Sequence, residues 1–329
     1  MNQEFGKMSQ IFSLFIYVLF LSNSVVLYAA VEYSGNTDKM LQEYSPPKQM
    51  QTTNKVSSRP TSPVGLGANA RSFNPLFEIQ TSYEDHKIQN EFVNAKINLI
   101  RTKLEIRPIE DVFINATYWY ANSSHLQLTQ NPKHQKGNLT AILGLNWFNM
   151  GSELEKTRID IHLGAMFGEK DSDLASTRLD KIVGFETTKR FNTVLFGLGV
   201  QLRLTNTPKS DKELIIGNMA KFSVGLGWIV SHDIRIGLEA NSYKLYGADL
   251  ELLQEDPTLK GRILEKDVSF STLSPQLFLS LGETSLEAYL GFHIRTKNPT
   301  SKVDTTKARL FEIPGVYGNS ILGGLSFVL

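Results

Sequence analysis

Six histidines, His86, His125, His134, His162, His232 and His293, are the side chains of this 329-residue chain best suited to acid–base chemistry near neutral pH. Two of them share a strand phase with a carboxylate: His162 with Asp160, and His293 with Glu287. A histidine base needs a group that orients it and a nucleophile or metal-bound water within hydrogen-bond reach. No nucleophile motif accompanies either pair, so both histidines read first as polar wall residues. His125 and His134 lack metal-ligand spacing, and the chain contains no cysteine to support them. The EKDSD run with Asp171 and Asp173 matches only a fragment of a calcium loop, without its glycine or distal glutamate. Gly65 and Gly67 lack the third glycine and the strand-to-helix setting of a nucleotide site. No catalytic residue, cofactor or metal is therefore expected.

The elements that would hold these residues have a period of two. From Val194 to Leu204, Val194, Phe196, Leu198, Val200, Leu202 and Leu204 alternate with Leu195, Gly197, Gly199, Gln201 and Arg203. Phe222, Val224, Leu226, Trp228 and Val230 form a second apolar row, and Leu139, Ala141, Leu143, Leu145 and Trp147 a third. Helical spacing fits none of them.

The last twelve residues, Gly318–Leu329, are one more alternating strand, with Ile321, Gly323, Leu325, Phe327 and Leu329 on one face. A strand of this kind needs a neighbour on both edges. This apolar row, ending in Phe327 and Leu329, resembles the closing strand of bacterial outer-membrane β-barrels, with Leu329 standing where Phe is usual. The resemblance covers residues 72–329 and implies an all-β, transmembrane, antiparallel up-and-down β-barrel. It also implies recognition of Gly318–Leu329 by the barrel-insertion machinery, and outer-membrane lipid around the outside. It assigns no particular family.

In such a barrel the apolar rows face lipid, which sets the phase of each strand. Turning Ile234, Ile236, Leu238 and Ala240 inward would turn Arg235 and Glu239 to lipid, and Arg near the midplane costs about 2–4 kcal/mol. By this reasoning Lys96, Asp160, His162, Arg203, Arg235, Glu239, Glu287, His293 and Arg295 line the lumen. Gly144, Gly164, Gly197, Gly199, Gly225, Gly227, Gly237, Gly291 and Gly324 share the inward phase; they either widen the lumen or make room for large neighbours. With both signs of charge inside, the pairs are expected to brace the interior rather than select ions.

Connections alternate in length as periplasmic turns and extracellular loops do. Short ones are expected at Arg107–Asp111, Asn149–Lys156, Thr188–Arg190, Ser231–Asp233 and Gly282–Thr284. Longer polar ones are expected at Glu84–Asn90, Asn122–Gly137, Gly168–Ala175, Thr205–Gly217, Gly247–Lys266 and Thr296–Val316. That gives about twelve strands, including one from Ser176 to Thr187 that puts Lys181 on the lipid phase. Trp147 and Trp228 fall at one rim, and Tyr118 and Tyr120 at the other. Twelve strands ~4.8 Å apart and tilted roughly 40° enclose a backbone radius of about 12 Å, wide enough for a narrow solute path.

Ahead of the barrel, residues 1–30 carry Lys7, the apolar run Ile11–Leu21, and Ala29 and Ala30, the order of a cleaved signal peptide. Residues 31–71 are rich in Ser, Thr, Pro, Gln and Asn and read as a disordered periplasmic leader. A net charge of +1 argues against a nucleic-acid partner.

The expected function is porin-like passage of small solutes. Two alternatives are a lipid-acting hydrolase using His162 or His293 as base, and a non-conducting barrel acting as an anchor or surface-binding protein. A secreted β-sandwich would need the apolar rows to face a second sheet.

Overall fold

The computed structural model describes residues 77–89, 94–109, 111–123, 135–151, 155–231, 233–248, 259, 261–281, 285–297 and 304–328. The expected signal peptide 1–30 and leader 31–71, together with His125, His134, His232 and Leu329, lie outside them.

The described chain is a single antiparallel sheet closed on itself. Its strands are β1 (Phe77–Gln89), β2 (Asn94–Ile109), β3 (Val112–Ser123), β4 (Gln135–Lys136), β5 (Leu139–Met150), β6 (Thr157–Phe167) and β7 (Asp180–Phe191). They continue with β8 (Val194–Leu204), β9 (Met219–Ile229), β10 (Ile234–Leu245), β11 (Val268–Ser280), β12 (Leu286–Lys297) and β13 (Ser320–Val328). Strand β4 is a two-residue extension ahead of β5, pairing with Tyr120 and Ala121 of β3, so the wall has twelve long staves.

Each long strand pairs with its sequence neighbours, and β13 closes the ring against β1, with Glu78 opposite Val328 and His86 opposite Ser320. The final strand therefore has a partner on both edges. This closure removes every free edge along the staves.

Alternation converts directly into two faces. On β10, Ile234, Ile236, Leu238 and Ala240 are exposed while Arg235, Gly237, Glu239 and Asn241 are buried. The same inversion holds on β13, where Ile321, Leu325 and Phe327 are exposed and Ser320, Leu322 and Ser326 are buried. An apolar outer surface over a polar interior is stable only in hydrocarbon. No helix among the described residues is long and apolar enough to cross a membrane. Leu238→Arg, placed between Leu226 and Pro275 in register, is expected to destabilise the lipid-folded barrel by about 2–4 kcal/mol in urea titrations. A cost below about 0.5 kcal/mol, the usual range for a water-facing position, would mean that this face does not meet lipid.

Connections at one rim are short. β7 and β8 stay paired as far as Phe191 and Val194, so the hairpin turns on Asn192 and Thr193, with Asn192 at φ 52. Asn tolerates that left-handed backbone better than most residues. The turn was expected at Thr188–Arg190, which instead continues β7. At the next short connection Gly151 has φ 105, and a Cβ there would lie 2.0 Å from the Glu155 carbonyl oxygen.

Two other expectations shift for a common reason. Glu84–Asn90 is not a polar loop through its first six residues, because β1 runs to Gln89. Its polarity serves the lumen: Glu84 faces inward and meets Arg101 at 2.7 Å. The strand expected at Ser176–Thr187 begins only at Asp180, because Ser176, Thr177 and Arg178 bind a carboxylate from another connection. Lys181 does point outward, as its phase required, but it is the second residue of β7. There its ammonium can reach past the apolar band.

Candidate functional site

The interior divides into two parts. At the short-turn end it is polar, and at the long-loop end it is filled by the connections themselves. Trp147 and Trp228, 65% and 51% exposed, lie on the outer face near the short-turn rim. Tyr118 lies exposed on the same outer face of β3.

Eight of the nine residues assigned to the lumen face it. Asp160, Arg203, Arg235, Glu239, Glu287 and His293 are buried, and His162 and Arg295 are partly so. Lys96 does not. It sits on the outer phase of β2, its side chain 62% exposed and paired with Asp85 at 2.8 Å. The inward phase of β2 is instead Ala95, Ile97, Leu99, Arg101, Lys103, Glu105 and Arg107. The inward apolar residues at the start of β2 disguised its phase, since they pack against the plug described below.

The charges are paired. Arg235 holds both Glu287 oxygens at 3.0 and 2.9 Å and lies over the Phe278 ring at 4.8 Å. Arg158 meets Asp160 at 2.7 Å, Arg107 meets Glu105 at 2.7 Å, and Lys221 meets Glu239 at 3.5 Å. Arg295 lies 5.6 Å from the centre of the Phe270 ring.

The carboxylates expected beside the two histidines are thus engaged elsewhere. Among the described residues His162 has no hydrogen-bond partner; its ring fills the space over Gly184, whose Cβ would fall 2.0 Å from Nε2. His293 Nδ1 is 2.8 Å from Ser274 Oγ, with both residues buried, 6% and 3% exposed. Among the described residues no carboxylate hydrogen-bonds to that pair as in a triad.

Some glycines on the inward phase make room for large neighbours, as expected. Phe113 lies over Gly144, and the Tyr289 ring over Gly324. On β8–β10, by contrast, Gly197 faces Gly225 and Gly227 faces Gly237 in register. Together with Gly199 they form a strip of wall without side chains.

The plug is built from four connections on the long-loop side, within 168–179, 205–218, 246–267 and 304–319. Leu174, Ala175, Leu214, Ile216 and Leu264 from the first three pack with Ala308, Leu310, Phe311, Ile313, Val316 and Tyr317 from the last. They meet Ile88, Ile97, Leu99, Trp119, Tyr243, Leu245 and Phe270 of the wall in one apolar cluster. Burial of this many large side chains gives the plug a core of its own, at about 1.5–3 kcal/mol each.

Polar contacts set the plug's shape. Asp304 accepts from Thr306 N at 3.1 Å and opens a single 3-10 turn, Thr305–Ala308, which Arg309 ends at φ 52. Tyr317 Oη donates to the Thr305 carbonyl and accepts from Leu310 N, both at 2.9 Å. Burial pushes this phenol well above its ordinary pKa, so it stays a donor. Asn138, fully buried, donates to the Phe167 and Ser176 carbonyls and accepts from Ser176 N, fastening 168–179 to the wall.

Glu213 is the hub. One oxygen accepts from Ser176 Oγ at 2.6 Å and Arg178 Nη1 at 2.7 Å, the other from Thr177 N at 2.9 Å and Thr177 Oγ1 at 2.8 Å. Arg178 also donates to the Ala308 carbonyl at 3.0 Å, and Arg309 to those of Ser172 and Ala175. Last, Glu312 reaches from the plug to Arg203 of β8, while Arg101 of β2 donates to the Glu312 carbonyl at 2.8 Å. None of Glu213, Arg178 or Glu312 was singled out from sequence. Arg178 and Glu213 follow polar residues and Glu312 lies between Phe311 and Ile313, and only burial distinguishes them.

No family model matches this chain, and no curated protein matches it in sequence. Among solved structures, an outer-membrane channel of Pseudomonas putida F1 superposes with a TM-score of 0.53 at 9% identity, covering 78% of this chain and 96% of that one. The translocator domain of the autotransporter NalP from Neisseria meningitidis gives 0.36 at 11% identity, covering 78% and 89%. The fold is that of the Gram-negative outer-membrane β-barrels.

Proposed function

We propose that the protein is an outer-membrane channel for small solutes, held closed at rest by its own extracellular loops. The observation that carries this reading is the glycine strip of β8–β10, where Gly197, Gly199, Gly225, Gly227 and Gly237 put no side chain of their own into the lumen. The likeness in fold to an outer-membrane channel of Pseudomonas putida F1 supports it. The long-loop rim is then extracellular, the short-turn rim periplasmic, and the polar lumen opens toward the periplasm. Export uses a cleaved signal peptide at residues 1–30, and insertion uses the closing strand within Gly318–Leu329.

Planar-bilayer recordings of the full chain test the reading, set against a variant with residues 305–316 replaced by a short Gly-Ser linker. Wild type is expected to give a closed baseline with rare openings, and the variant a sustained current. Flat traces from both would favour the second reading, a non-conducting barrel that anchors or presents its loops. The apolar cluster across the mouth is the observation on that side.

A further inference from the structure

We propose that Arg203 is the binding site for the carboxylate of a small solute with a compact apolar body, and that Glu312 occupies this site as an internal stand-in. The inference deepens the channel reading above and rests on it. Glu312 is a plug residue lying between buried Phe311 and Ile313, and its carboxylate meets Arg203 Nη1 with both side chains nearly inaccessible, 5% and 7% exposed. What enters the site is thus a carboxylate with apolar shoulders.

The wall around Arg203 suits such a group. Ile182 and Met219 are its register partners on β7 and β9, and Met166 Sδ is 3.6 Å from Nη1; all three are buried. Asp180, 3.9 Å away, also lies 3.4 Å from Arg178. If Glu312 withdraws, one cation loses its close carboxylate, and a solute carboxylate restores the balance without adding charge.

The stand-in is also an imperfect ligand. Arg203 Nε and Glu312 Oε2 are both buried without a hydrogen-bond partner, so the pair is held by a single prong. A guanidinium can grip a carboxylate with two parallel bonds, which are stronger and more directional. A free carboxylate that reaches Arg203 whenever the loop breathes therefore competes with Glu312 on favourable terms. Its binding would free the plug from β8, leaving the Arg101 contact to a backbone carbonyl.

The test is amide hydrogen exchange of segment 305–317 in the purified full chain, with benzoate as probe and benzamide and chloride as matched controls. Benzoate is expected to speed exchange there about tenfold or more, the effect of losing one charge-assisted hydrogen bond. Benzamide and chloride should leave it unchanged. Glu312→Gln should raise exchange without any probe, and Arg203→Met should abolish the response to benzoate. No acceleration by benzoate in wild type, equal acceleration by benzamide, or a response that survives in Arg203→Met would each overturn the site. Conductance separates this from the parent reading. A benzoate-loosened plug without current sinks the channel and keeps the site; current on loop replacement without a benzoate response does the reverse.

Discussion

Glu213→Ala is expected to expose the plug to solvent exchange while leaving the barrel folded. The substitution removes four hydrogen bonds within residues 176–178 and strips buried Arg178 of the closer of its two carboxylates, leaving Asp180 at 3.4 Å. Removing one partner of a buried ion pair costs about 3–5 kcal/mol, because the other charge stays out of water. Amide exchange across 172–178 should therefore quicken by roughly two to three orders of magnitude. The staves share none of these bonds, so the heat-dependent shift in electrophoretic mobility should persist. Unchanged exchange would show that the apolar cluster alone holds the plug. Glu213→Gln, which keeps the shape and one of the two acceptor oxygens, should fall between wild type and alanine.

The second large effect is expected in the polar half. Arg235 and Glu287 reach across β11, one guanidinium nitrogen meeting both carboxylate oxygens, with the side chains 7% and 5% exposed over the Phe278 ring. Glu287→Ala alone leaves a guanidinium buried against an aromatic face, and the barrel should lose about 3 kcal/mol in urea titrations. The double variant Arg235→Met/Glu287→Leu should recover to within about 1 kcal/mol of wild type, since apolar pairs of similar volume replace such bridges well. If Glu287→Ala cost less than about 1 kcal/mol, the pair would be behaving as a hydrated surface bridge, with water reaching this level of the lumen.

These two sites differ in how far they could be read from sequence. Arg235 and Glu287 stand on strands with unbroken alternation, so one energetic argument, the cost of arginine in lipid, placed both inside. Asp160, His162, Arg203, Glu239, His293 and Arg295 followed in the same way. Lys96 did not, because Ala95, Ile97 and Leu99 on the same strand are apolar yet face inward against the plug. Where both faces of a strand meet apolar surroundings, hydropathy carries no information about phase. Glu84 was misplaced for the converse reason: an inward polar residue near a strand end looks like the start of a loop.

Alternation with a period of two, the turn signals between the rows and the apolar closing strand were enough to determine a closed barrel of twelve staves with polar residues inside. That information is local, since neighbouring residues on a strand necessarily face opposite sides. Only the tertiary structure decided what the long connections do. Glu213, Arg178 and Glu312 lie on three separate connections, and their pairing depends on loop segments brought together by ring closure. The same closure sets Arg203 against the Glu312 carboxylate, a contact between residues far apart in the chain that no spacing in the sequence announces.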